Sequence, residues 1–160
     1  MPFCQSSEIT KYSNPDQDGK RWPEEGKLVV GFNGDISESF YSRIYCVPGE
    51  VVEAVSGATD TSLSAERIKH HNPRPSEAED PSRNATVLTH LLTRWTLTPA
   101  PSKPETTSSP AREQTEVNLA IDFAFANPVY GVMSAAVAPK VAEKMIQAFE
   151  QRVKAALDRA

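Results

Sequence analysis

Along residues 115–126, TEVNLAIDFAFA, apolar and polar positions alternate without a fault. Val117, Leu119, Ile121, Phe123 and Phe125 fall on one side. Glu116, Asn118, Ala120, Asp122 and Ala124 fall on the other. A period of two over this length predicts a strand with one buried face. Asn127-Pro128 ends it, because proline has no N–H to give a ladder. Behind it the period becomes helical. Val137, Val141, Met145, Phe149 and Val153 recur every four residues, while Lys140, Glu143, Lys144, Gln147, Glu150 and Lys154 take the wet side. Pro139 either kinks one long helix over 128–160 or starts a second at its first turn, and the shared face of Val137 and Val141 favours the kink. Strand and helix each carry an apolar face that needs a cover, and each supplies it for the other.

The same reading runs back through the chain. A short strand is expected at 7–12, followed by a turn-rich stretch over 14–26. KLVVGF at 27–32 reads as a strand, and Asn33-Gly34 is a strong hairpin signal. SFYSRIYCV at 39–47 puts Phe40, Ile44 and Cys46 on one face and Tyr41, Arg43 and Tyr45 on the other. Pro48-Gly49 is a second tight turn, and EVVEAVS at 50–56 pairs back. VLTHLLTRWTL at 87–97 is a further strand. Between these lie two proline-rich segments, expected to be flexible insertions at about 57–86 and 99–114. A turn of helix is expected near 64–69. The order predicts one α+β domain over 1–160: an antiparallel sheet, then a long C-terminal helix.

Composition narrows the function classes. A net charge of −4 on 160 residues argues against an electrostatic nucleic-acid binder. No apolar run reaches the length of a membrane span. The first residues, MPFCQSSEITKY, show neither a signal core nor an Arg-rich transit helix. Cys4 and Cys46 lack CxxC spacing; parity allows a disulfide, and thiols in a reducing compartment are the commoner outcome. Asn84-Ala85-Thr86 matches a glycosylation sequon, which short chance matches readily produce.

Candidate chemistry is sparse. The sequence has three histidines, His70, His71 and His90, and no metal-ligand spacing. His70 and His71 are expected to be solvated loop residues. Parity puts Leu91, Trp95 and Leu97 on one face of their strand, and His90 and Arg94 on the other. Acidic pairs such as Glu24-Glu25 read as solvated loop charges. No nucleophile elbow, P-loop or GxGxxG is present. What remains is an apolar sheet face against an apolar helix face. Periodicity does not separate a filled core from a cavity, and Met133 and Met145 suit either.

PFCQSSEI near the start, GFNGDISESFYSRIYCVPGEVVEA, HLLTRWTL and VNLAIDFAFANPVYGVMSAAVAPKVAEKMIQAFEQR together resemble the coenzyme Q-binding START-domain proteins of mitochondria. These are members of the polyketide cyclase/dehydrase-like superfamily. The resemblance covers about two thirds of the chain; the two proline-rich segments lie outside it. It implies a helix-grip fold, a curved antiparallel sheet wrapped round the C-terminal helix with a lipid cavity between. It implies binding of ubiquinone, without a catalytic cofactor or metal, in support of respiration and quinone biosynthesis at the matrix side of the mitochondrial inner membrane. It also implies a strand and two small helices before the position of PFC, so the chain is expected to be an N-terminally truncated version of that fold, with 115–126 at an unpaired edge.

The expected partners are ubiquinone or a related isoprenoid lipid and the membrane surface, with no nucleic acid. The lining is taken from parity on the matching segments: Phe40, Ile44, Leu91, Trp95, Leu97, Leu119, Ile121, Phe123, Met133, Val137, Val141 and Met145. The rivals are a cyclase or dehydratase on the same fold, which needs titratable groups facing the cavity, and a ribosome-associated interaction factor, against which the acidic balance counts.

Overall fold

The computed structural model describes residues 4–32, 36–75, 88–100, 114–126 and 128–158, with the side chains of 30–32, 36–38, 128–138 and 141 outside that description. Six strands follow one another: β1 (Cys4–Tyr12), β2 (Pro23–Phe32), β3 (Ile36–Val47), β4 (Val51–Gly57), β5 (Leu88–Pro99) and β6 (Thr115–Phe125). One helix, α1 (Pro128–Leu157), closes the chain and runs through Pro139. The strands form a single sheet in chain order, every pair antiparallel, so β1 and β6 are its edges among the described residues. This is the expected meander with one terminal helix. The Asn33-Gly34 turn, the 84–86 sequon, and residues 76–86 and 101–113 of the two proline-rich segments lie outside the described residues.

Two glycines set the corners of β4. Gly49 has φ +73° in the turn after Val47, where Glu50 N–H donates to Val47 O at 3.0 Å. Gly57 has φ +70° at the end of β4, and a Cβ there would lie 2.3 Å from Thr89 O. Only glycine suits both demands at once.

Register divides the sheet into two faces. Gly26, Ser42, Ser56, Leu91 and Phe123 lie in one cross-strand row, flanked by Ile44, Ala54, Thr93 and Ile121 in the next. This is the helix side: the Trp95 ring packs on Phe149 of α1 with centroids 4.8 Å apart. The outer side carries Arg43, Tyr45, Glu53, Val55 and Arg94. Against expectation, the outer side holds most of the fully buried residues. Tyr45, Val47, Val51 and Val55 are buried there, and so are the charged Glu24, Arg43 and Glu53.

The cover is the chain after β4. Of the expected insertion at 57–86, residues up to 75 are described, and these lie along the outer face. Hydrogen-bonded turns occupy 65–70, close to the expected helical turn, with Arg67 N–H donating to Ser64 O and His71 N–H to Ile68 O. The reading of Glu24-Glu25 as solvated loop charges is corrected: Glu24 is fully buried and both belong to β2. Arg43 Nη1 lies 3.1 Å from Glu25 Oε1 and 3.6 Å from Glu24 Oε1. Asn72 Nδ2 donates to both oxygens of Glu24, and the Asn72 carbonyl accepts from Arg43 Nη2 at 3.1 Å. Nearby, Glu53 accepts from Arg94 Nε at 2.6 Å and from the Thr61 hydroxyl at 2.5 Å. A buried charge survives only when paired and hydrogen-bonded, and each of these carboxylates is both.

His71 is the second correction. It is 6% exposed rather than solvated, with its ring edge-on to Tyr45 at 5.5 Å. Cys46 N–H donates to His71 Nε2 at 2.9 Å. The pairing of β2 with β3 stops at Glu25 and Arg43, so it does not reach Cys46. The imidazole takes the place of the missing strand.

Candidate functional site

The helix side of the sheet differs in kind from the outer side. Along β5 the helix-side positions are Leu91, Thr93, Trp95 and Leu97; along β6 they are Val117, Leu119, Ile121, Phe123 and Phe125. All nine are half-buried. Phe123 and Phe125 meet edge to face at 5.7 Å, which confirms a shared face. On β4, Val52 is 40% exposed, although its cross-strand partners are Cys46 and Trp95. The helix mirrors this. Ala142, Met145, Ile146, Ala148, Phe149 and Val153 are half-buried, and no side chain described on α1 is fully buried. Among the described residues both apolar surfaces are thus only partly covered, and they meet where Trp95 packs on Phe149.

The expected lining residues fall as follows. Phe40 is buried on β3. Ile44, Leu91, Trp95, Leu97, Leu119, Ile121, Phe123 and Met145 are half-buried. Ile44 and the strands' other members share one face by register, and Trp95 reaches the helix through Phe149. The side chains of Met133, Val137 and Val141 lie outside the described residues. A separate groove of about 590 Å³ lies between the turn at 14–18 and residues 66–70. Its walls include Asp16, Asp18, Glu66, Arg67 and Lys69, and it contains none of the expected lining.

Among the described side chains, the charged groups of β3 to β6 point elsewhere. Arg94 is committed to Glu53 and to Ser62 on the outer side. His90 Nε2 lies 3.6 Å from Asp122 Oδ2, across β5 and β6. Cys46 is a free, buried thiol, and burial pushes its pKa up to about 11, so it stays protonated and weakly nucleophilic. Burial also pulls His71 down to about 4, reinforced by His70 and opposed by Glu24. Among the described residues no group of three or more His, Cys, Asp or Glu could hold a metal. What such a surface offers another molecule is apolar area rather than reactive groups.

Sequence reasoning missed the outer-face network of Glu24, Arg43, Glu53, His71, Asn72 and Arg94. A signal was present. Arg43 alternates with Tyr41 and Tyr45 within a strand, and Glu53 sits between Val51 and Val55. Charges flanked by large apolar side chains on one face point to a covered, paired site.

Comparison with known proteins places the chain among relatives of one family. A family model described as polyketide cyclase/dehydrase and lipid transport matches residues 1–150. The chain is 30% identical over 154 residues to "Coenzyme Q-binding protein coq10, mitochondrial" of Schizosaccharomyces pombe, covering 96% of this chain and 70% of the relative. It is 27% identical over 165 residues to the protein of the same name in Eremothecium gossypii, covering 99% of this chain and 63% of the relative. No solved structure matches the chain.

Proposed function

The chain belongs to the polyketide cyclase/dehydrase and lipid transport family, and on that premise we propose that it binds ubiquinone, or a related isoprenoid lipid, between the helix side of its sheet and α1. The fold is then a helix grip, and the lining is the set of twelve residues from Phe40 to Met145 named above. The observation that carries this reading is the half-burial of both apolar faces. An ordinary core would bury Trp95, Ile121, Phe123 and Phe149; here each keeps surface that a ligand can cover. Each CH₂ of an isoprenoid tail taken from water contributes about 0.8 kcal/mol. A trough without reactive groups therefore suffices to hold one.

Both relatives carry coenzyme Q binding and mitochondria in their names, which supports the same ligand and compartment here. The role is that of a carrier or chaperone, serving respiration and quinone biosynthesis at the matrix face of the inner membrane, with no catalytic cofactor. The cyclase or dehydratase reading is weaker, because His90, Arg94 and Asp122 are engaged on the other face. Mass spectrometry of lipid extracted from the purified chain tests the proposal. A quinone is expected at a stoichiometric fraction of the protein. A folded chain from a quinone-replete host that carries none would refute it.

A further inference from the structure

We propose that the Thr93 hydroxyl is the polar anchor of this trough, donating a hydrogen bond to a carbonyl oxygen of a bound quinone ring. The inference rests on the lipid reading above and adds the group that tells a quinone from a plain hydrocarbon.

Across β3 to β6, and leaving aside the exposed Thr89 and Thr115 at strand ends, the described helix-side positions are apolar except for Cys46 and three hydroxyls: Ser42, Ser56 and Thr93. Two of the hydroxyls are spent. Ser56, only 2% exposed, donates to Tyr41 O at 2.7 Å. Its oxygen lies 2.7 Å from Ser42 Oγ. A hydroxyl has a single proton, so Ser42 must donate to Ser56. Cys46 keeps a buried thiol, a poor donor. Thr93 is different. It sits on β5 between Ala54 of β4 and Ile121 of β6, half-buried, and its hydroxyl has no hydrogen-bond partner among the described residues.

The surroundings suit a flat ring. Ala54 is a small neighbour and leaves room beside the hydroxyl. Two positions along the strand, on the same face, Trp95 packs on Phe149 and offers aromatic surface. A quinone brings two carbonyl acceptors and no donor, so it needs an O–H from the wall. A hydrocarbon laid over Thr93 would strip its water and return nothing, which is unfavourable. The hydroxyl thus draws the ring toward β5 and turns the tail away from it.

The test compares the wild-type chain with Thr93→Val, which keeps the shape, and Thr93→Ser, which keeps the donor. The probes are decylubiquinone and squalene, each titrated in the same detergent. The expected result is that Thr93→Val weakens quinone binding about three- to tenfold, leaves squalene unchanged or tighter, and that Thr93→Ser restores the quinone. In the wild type, the infrared carbonyl stretch of the bound quinone should move to lower wavenumber, and in Thr93→Val it should not. Equal effects on both probes, or none, overturn the anchor. So do unshifted carbonyls in the wild-type complex, a measurement that stands even if the valine variant fails to fold. Uptake of squalene without decylubiquinone would overturn the anchor and leave lipid binding intact. Uptake of neither would overturn the lipid reading and the anchor with it.

Discussion

Acid should loosen the outer face of this protein, and His71 should be the reason. The neutral ring accepts the Cys46 amide proton at Nε2, so its own proton sits on Nδ1, which is buried without a partner. A second proton would go on Nε2 and abolish that bond. It would also place a cation beside the Arg43 guanidinium and His70, a cost that the Glu24 carboxylate opposes in part. The folded pKa of about 4 lies below the ordinary 6.5. As pH falls below 6.5 the unfolded chain takes up the proton first, and the fold loses stability until about pH 4, where it too protonates. Above 6.5 the contribution is fully present. Linkage over that interval gives a loss of about 2 kcal/mol at pH 5 and about 3 kcal/mol at pH 4. Carboxylates also titrate near the bottom of this window, so the informative quantity is a difference. His71→Gln can still accept the amide proton but cannot ionise. Urea unfolding of both proteins at pH 7, 6, 5 and 4 should show the wild type falling away from the variant by that amount. His70→Gln should keep most of the wild-type slope. Parallel pH profiles for wild type and His71→Gln would refute the argument.

Three further outcomes follow from the packing. Arg43→Ala takes the fully buried cation away from Glu24 and Glu25, leaving Glu24 to Asn72 and the partly exposed Lys11, and should cost about 3 kcal/mol, read as a lower urea midpoint at unchanged m-value. Gly57→Ala meets both a left-handed φ and a 2.3 Å contact with Thr89 O, and should cost at least about 1 kcal/mol by thermal unfolding. Phe123→Asp puts an unpaired carboxylate on the apolar wall and should abolish lipid co-purification; a folded variant that keeps its lipid would remove β6 from the site.

Most of the architecture was legible in the sequence because each element has a single strong local signal. The alternation over 115–126 marks β6 to within a residue, and the Pro-Gly at 48–49 marks the β3–β4 turn. The four-residue recurrence from Val137 to Val153 marks α1 through Pro139. The face of Trp95 was legible too, since Leu91, Trp95 and Leu97 share parity. The outer face was not. Periodicity reports that a strand has two unlike faces; it does not report what lies over the second. His71 and Asn72 stand 25 to 48 residues from the groups they bind, Cys46 and Glu24, and no local pattern encodes that distance. Glu24 looked like a loop charge because its partner, Arg43, is brought alongside only by strand pairing.

The two faces of one sheet thus carry opposite designs, and the difference bears on how a trough could exist at all. Two half-covered apolar surfaces gain less from burial than a filled core does, so the sheet needs stabilisation from somewhere else. The outer face provides it. Val55, Tyr45 and Val47 are buried there, and around them Arg43, Glu53 and Asn72 tie β2, β3, β4 and β5 to the segment 58–75 through charge-assisted bonds. None of these groups has to move for a ligand to enter on the helix side. α1, by contrast, meets the sheet along β6 and at Trp95, and its apolar side chains described between Ala142 and Val153 stay half-exposed. Among the described residues, opening between α1 and the sheet then disrupts few buried contacts. On the proposed lipid reading that asymmetry has a use: a rigid wall fixed from behind, and a cover held lightly enough to lift, suit the entry and release of a bulky apolar molecule.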